Sequence, residues 1–215
     1  MTFTADVQKC WTVNVTAENG DILGVVVYLE GDEVTITATP NEGCRFVKWS
    51  DGVTDNPRTV VVTSDLTFTA VFELKEYSLT IDAENGTVEG AGTYKHGDKA
   101  TLTATPAEGY KFVKWSDGGT DNPRTVVVTS DMTFTADIQK CWTVNVTAEN
   151  GDISGVGVYL EGDEATLTVT PNEGYKFVKW SDGVTDNTRT VVVVSDTTFT
   201  AEFELKEYTL TTEAE

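Results

Sequence analysis

The residue types here that first invite a chemical reading are the carboxylates, three thiols and one imidazole. The most site-like arrangement is the acidic loop Asp51-Gly52-x-x-Asp55-Asn56, which returns with Asp117 and Asp121, and again with Asp182 and Asp186. Calcium takes oxygen ligands from such loops, so these six aspartates are weak calcium candidates. Asp, Asn and Gly are also the ordinary turn formers, and the turn reading is favoured because the EF-hand ligand pattern is absent. His96 is the only histidine and sits in Lys95-His96-Gly97, where the other copies place Glu30 and Glu161. A turn-flanking surface role fits it better than catalysis, since no nucleophile–His–acid set recurs with it. Carboxylate pairs are numerous but fall in turns, so nothing specific supports a glycosidase dyad.

The thiols are Cys10, Cys44 and Cys141. Cys10 and Cys141 are equivalent, while Tyr110 and Tyr175 replace Cys44 in its copies. A disulfide needed for folding would recur in each copy, so none is expected. With one His and no Cys-x-x-Cys, a zinc site is not expected either. The Asn-x-Thr matches at Asn14, Asn85 and Asn145 are read as chance in a threonine-rich chain. These residues imply no cofactor and no enzyme.

Charge narrows the partners. Lys and Arg total 15 against 35 Asp and Glu, a net charge of −20. Such a field repels nucleic acid and anionic lipid. No apolar run reaches membrane-spanning length, and Met1-Thr2-Phe3-Thr4 opens no signal peptide. If the parent protein is secreted, the signal is expected outside this chain.

The elements that position these residues recur. Phe46-Val47-Lys48-Trp49-Ser50-Asp51-Gly52 returns from Phe112 and from Phe177, with tryptophans 66 and 65 residues apart. Residues 1–84 align without a gap on 132–215, most positions identical, so the first and third copies are near duplicates and the second is more distant. Self-similarity at a fixed period marks a repeat architecture. The expected organisation is a trailing strand over 1–10, repeats over 11–76, 77–141 and 142–207, and the first strand of a further repeat over 208–215. The array reads as a window from a longer one.

Within a copy, Trp11, Val13 and Val15 alternate with polar residues, the period of a half-buried strand. Asn19-Gly20 signals a tight hairpin with both residues at positive φ. Val34, Ile36 and Ala38 alternate until Pro40, which cannot donate to a ladder. Phe46 and Trp49 are three apart, so a bulge, or one ring on each face, has to intervene. About six strands fill each copy, with no helical periodicity. A domain this small has little core volume, so Phe46, Phe112 and Phe177 are expected to be buried, with Trp49, Trp115 and Trp180 mostly buried beside them. Sugar stacking on these tryptophans is the alternative. Trp11 and Trp142, matched by Tyr77 and Tyr208, are expected at repeat junctions or along the first strand.

The ordered series Tyr77-x-Leu79-Thr80, Asn85-Gly86, Gly97-Asp98, Leu102-Thr103-Ala104, Pro106, Gly109-Tyr110-x-Phe112-x-x-Trp115 and Thr133-Phe134-Thr135-Ala136 resembles the divergent internalin-type B-repeat, related to the Listeria–Bacteroides repeat family. The resemblance covers essentially the whole chain. It implies a multi-copy bacterial surface protein, cell-surface or secreted, with spacer, stalk or adhesive roles and no catalytic residues. It also implies a β-grasp fold with one helix, whereas the residue pattern gives strands alone. The expected fold is therefore all-β, three tandem domains of about 65 residues, β-sandwich-like or helix-poor β-grasp-like.

Two functions stay open. One is a non-catalytic spacer whose partners are the neighbouring repeats. The other is a multivalent module presenting the same site to a host protein or glycan in each copy. Phe3, Ala5 and Val7 match Phe134, Ala136 and Ile138, so weak end-to-end self-association through the terminal segments is a further expectation.

Overall fold

The computed structural model describes residues 4–22 and 26–211. The described residues contain no helix. The first repeat contains β1 (Cys10–Ala17), β2 (Gly20–Ile22), β3 (Val26–Leu29), β4 (Glu33–Ile36), β5 (Ala38–Pro40), β6 (Cys44–Trp49), β7 (Arg58–Val61) and β8 (Leu66–Leu74). β1 and β8 lie side by side and parallel, in register from Val13↔Leu66 to Ala17↔Ala70. β3 and β6 flank them antiparallel, giving the order β3-β1-β8-β6.

Parallel neighbours need a long crossover, and a helix usually supplies it. Here the crossover is β-structure. β2 pairs with β5, and β4 pairs with β7. These ladders form a second layer, because Val34, Ile36, Ala38 and Val60 share one core with Val13, Val15, Phe68 and Ala70 of the first sheet. The repeat is thus a two-layer β unit in which strands stand where a helix was implied by the resemblance.

The second repeat holds β9 (Glu76–Ala83), β10 (Gly86–Glu89), β11 (Gly92–Lys95), β12 (Lys99–Pro106), β13 (Tyr110–Trp115) and β14 (Arg124–Val127). A single strand, β15 (Met132–Ala148), ends the second repeat and opens the third. The third continues with β16 (Gly151–Ser154), β17 (Gly157–Leu160), β18 (Glu164–Pro171), β19 (Tyr175–Trp180), β20 (Thr188–Val192) and β21 (Thr197–Leu205). β15 and β21 repeat the parallel pairing, Val144↔Thr197 to Ala148↔Ala201. In the third repeat the covering layer is one sheet, β16-β18-β20.

The chain divides into two compact units. One holds the described residues up to 81 with 90–102 and 123–133, and the other holds 82–89, 103–122 and the described residues from 134. The first unit contains the junction between repeats one and two, where β8 and β9 are separated by Lys75 alone. There the Lys75 N–H donates to the Gly43 carbonyl and the His96 N–H donates to the Lys75 carbonyl. The second unit contains the other junction, where these two roles fall to Cys141 and Lys140, and the strand passes through unbroken.

The Asn-Gly turn and the bulge each have a specific cause. Asn19, Asn85 and Asn150 take φ of 67°, 63° and 70°. Gly20 is not left-handed, contrary to the expected turn. It is required by close approach, since a Cβ there would lie 2.5 Å from the Phe72 ring. The Phe46–Trp49 conflict is resolved by a bulge between Phe46 and Lys48, which recurs in β13 and β19. It sets both rings on one side, with centroids 5.4 Å apart.

Trp49, Trp115 and Trp180 are 0% exposed, whereas Phe46, Phe112 and Phe177 are half-buried. The burial order is the reverse of the one expected, because the bulge turns the tryptophan inward and leaves the phenylalanine at the margin. Residues 4–9 and 206–211 carry no strand, and Val7 and Leu210 are exposed. The terminal strands expected over 1–10 and 208–215 therefore do not form over these stretches. Phe3 and residues 212–215 lie outside the described residues.

A buried tryptophan removes about 150–250 Å² from water, which at ~25 cal/mol per Å² is roughly 4–6 kcal/mol as an upper value. A 65-residue domain has only about 3–10 kcal/mol in total. Trp115→Ala should therefore cost about 3–5 kcal/mol of stability and lower the urea midpoint of its transition further than Phe112→Ala does. Equal losses, or a larger one for Phe112→Ala, would contradict the burial order.

Candidate functional site

Three features recur in every copy: a loop clasped to the buried tryptophan, a carboxylate above the first strand, and a groove where two strands part. The clasp begins at the bulge. Trp49, once buried, needs a partner for its indole N–H, and the loop after β6 supplies one. Its Nε1–H donates to the Asp55 carbonyl at 2.9 Å, as Trp115 does to Asp121 at 2.9 Å and Trp180 to Asp186 at 2.7 Å. Asn56 ties the same loop to β5, accepting from the Ala38 N–H at 2.9 Å and donating to the Ala38 carbonyl at 2.7 Å. Asn122 holds Ala104 with the same pair of bonds. In the third repeat Thr188 stands where Pro57 does, and the strand extends by one residue, pairing Thr168↔Thr188. The Val169 N–H then goes to the Asn187 carbonyl instead of its side chain.

The acidic loop has an internal cation. Arg58 Nη1 donates to both oxygens of Asp51 at 2.8 and 2.7 Å, and Arg189 grips Asp182 at 2.7 Å twice. The arginines lie over Phe68 and Phe199, 4.7 and 4.4 Å from the ring centroids, which fixes their orientation. The Arg58 hydrogen bond, helped by the Val53 N–H, holds the Asp51 carboxyl below the ordinary aspartate value. Arg189 does the same for Asp182. These two calcium candidates are therefore engaged by arginine, while Asp55, Asp121 and Asp186 contribute main-chain carbonyls to the tryptophans. Among the described residues no three His, Cys, Asp or Glu side chains are grouped to hold a metal ion.

The second feature was not singled out in the sequence. Asp65 Oδ1 accepts the Thr12 N–H at 2.8 Å, Asp131 accepts Ser78 at 2.7 Å and Asp196 accepts Thr143 at 2.7 Å. Each carboxylate extends the ladder between first and last strands by one bond. The signal was present as Ser64-Asp65, Ser130-Asp131 and Ser195-Asp196 before each last strand.

The third feature is a groove at the Asn-Gly turn. In the first repeat Glu18 and Asn19 face Val71 and Phe72 across about 460 Å³. In the third, Glu149 and Asn150 face Glu202 and Phe203 across about 460 Å³, and in the second Glu84 and Asn85 face Asp137 and Ile138 across about 540 Å³.

The remaining candidates are dispersed. His96 is half-buried rather than on a free surface. It packs on Gly43, where a Cβ would lie 2.0 Å from the imidazole, and its ring centroid is 6.0 Å from that of Tyr77. Cys10 is exposed, Cys44 buried and Cys141 intermediate, and all three are free thiols. Trp11 and Trp142 sit on the first strand of their repeats, across from Tyr28 and Tyr159.

The pH dependence of the clasp follows from the depressed carboxyls. A carboxyl whose folded pKa is lowered stabilises the fold above its unfolded value of about 3.9, and that contribution is lost as pH falls through the folded value. The urea midpoints of the parent and Asp182→Asn proteins should differ most at neutral pH and converge in stronger acid. A difference that stays constant with pH would show that the charge of Asp182 contributes nothing.

A family model described as the divergent InlB B-repeat domain matches residues 11–76, 77–139 and 142–207. Domains of this kind are typical of bacterial surface proteins. No curated protein matches the chain. Among solved structures, the Bacillus anthracis TIE protein aligns at 11% identity and a TM-score of 0.36, over 88% of this chain and 49% of that one. This chain thus spans about half the length of that protein. With all three copies matched end to end, the chain belongs to the divergent InlB B-repeat family.

Proposed function

We propose that this chain is a non-catalytic, load-bearing spacer segment of a bacterial cell-surface or secreted repeat protein, and that repeats 11–76, 77–141 and 142–207 act as its successive domains. One observation carries the reading. The chain enters a repeat on β1 and leaves on β8, and these strands are parallel neighbours. Tension along the chain therefore pulls the two strands past each other lengthwise. All the ladder bonds between them are loaded together, instead of opening one at a time from an end. The Asp65, Asp131 and Asp196 bonds add to that ladder. The one-residue link at Lys75 and the unbroken β15 pass the load from repeat to repeat. A spacer also needs no unique residue, in keeping with clasps and grooves that recur in each copy.

The same recurrence supports a second reading, a multivalent binding face, because three equivalent grooves stand at the Asn-Gly turns.

Single-molecule pulling from the two ends tests the spacer. Discrete unfolding events are expected, each releasing chain of a contour near 220 Å for about 65 residues. Asp196→Ala should lower the force of one class of event and leave the others unchanged. A chain that extends smoothly, with no discrete events, would rule out the load-bearing role.

A further inference from the structure

We propose that each groove is a docking slot for one extended, basic peptide segment, added edge-on to the open half of the repeat's last strand. The proposal rests on the multivalent reading and names its ligand class. The slot follows from how the central strands part. β1 and β8 pair as far as Ala17↔Ala70, and then β1 turns away at Asn19. β8 runs on from Val71 to Leu74, paired to β6 on its other side through Phe46↔Phe72 and Cys44↔Leu74. Beyond Ala70 no strand among the described residues pairs with β8 on the β1 side. A strand edge of this kind offers its N–H and C=O groups to an incoming strand. β21 repeats the arrangement, parting from β15 after Ala148↔Ala201 and continuing to Leu205 beside β19. The groove opens at this parting, and its volume is of the size of a small-molecule cleft, roughly 300–1,000 Å³.

Charge selects the occupant. Glu18, Glu84 and Glu149 form one wall of the three grooves. The facing wall carries Asp137 in the second repeat and Glu202 in the third, but Val71 in the first. Lys114 borders the second groove, and Lys179 lies 3.6 Å from Glu202. Exposed pairs of this kind contribute little, so a cationic ligand competes with them at small cost. A second copy of this chain is disfavoured as occupant because two chains of charge −20 repel. Lysine- or arginine-bearing peptide therefore fits best, and the second and third repeats should bind it more tightly than the first.

Calorimetric titration of the full chain with an end-blocked Lys-Val alternating hexapeptide tests this. Several equivalents per chain should bind. N-methylation of alternate peptide amides should abolish binding, since edge addition needs the backbone donors. Glu84→Lys with Glu149→Lys should weaken binding roughly tenfold while Glu18→Lys has a smaller effect. Equal binding of Glu-Val or Thr-Val hexapeptides would overturn the basic ligand and leave the multivalent reading standing. Binding unaffected by N-methylation would overturn edge addition. If none of the peptides binds, the slot fails, while the multivalent reading, which also admits a glycan, stands apart from that result.

Discussion

The parallel ladder between the first and last strands of each repeat is the constraint on which the rest depends. It joins residues 53 positions apart, as in the bond from Thr12 to Asp65. Closing that loop costs conformational entropy before any ladder bond forms. The intervening chain offsets this cost only by building a core against the closed pair. β4, β5 and β7 do so with Val34, Ile36, Ala38 and Val60, and Trp49 fills the centre. The tryptophan in turn needs a hydrogen-bond acceptor, and the acidic loop is folded around providing it. Arg58 then neutralises Asp51 at the edge of the clasp. The acidic loop that looked like a cation site in the sequence thus serves the tryptophan core instead.

The same closure explains why the repeats join as they do. A last strand placed beside a first strand ends where the next repeat can begin without a change of direction. Between the second and third repeats the overlap is complete, and β15 serves both. Between the first and second, one additional residue, Lys75, interrupts the strand and carries both junction hydrogen bonds. The two junctions also differ in side chains. His96 packs on Gly43 at one, whereas Glu161 approaches Lys140 to 3.8 Å and accepts from Trp142 Nε1 at 3.4 Å at the other.

Much of this was legible in the sequence because it is local. Period-two alternation gave the strands, and of the two ways to reconcile the three-residue spacing of Phe46 and Trp49 the structure takes the bulge. Asn-Gly marked a turn but not the expected hairpin, since β1 pairs with β3 and β8 while β2 pairs with β5 in another sheet. What escaped was non-local. No local signal shows that β1 and β8 pair in parallel. The burial order of Phe46 and Trp49 depends on which way the bulge rotates the pair. Asp65 was not singled out because its partner, Thr12, lies 53 residues away in the first strand. His96 was read from its turn neighbours, and its true surroundings come from Gly43 of the preceding repeat. The acidic loops showed the right residue types for a cation, but the arginine that occupies Asp51 lies seven residues on, at the start of another strand.

The most direct test is the order in which the backbone opens. Amide hydrogen exchange under native conditions reports local opening free energies strand by strand. If the closure of first on last strand holds each repeat together, the ladder amides within Val13–Ala17 and Leu66–Ala70, and their equivalents in β15 and β21, exchange slowest, at the rate set by global unfolding. The amides of the covering layer, β2, β4, β5 and β7, exchange earlier. Slowest exchange in the covering layer, with β1 and β8 opening first, would contradict the account.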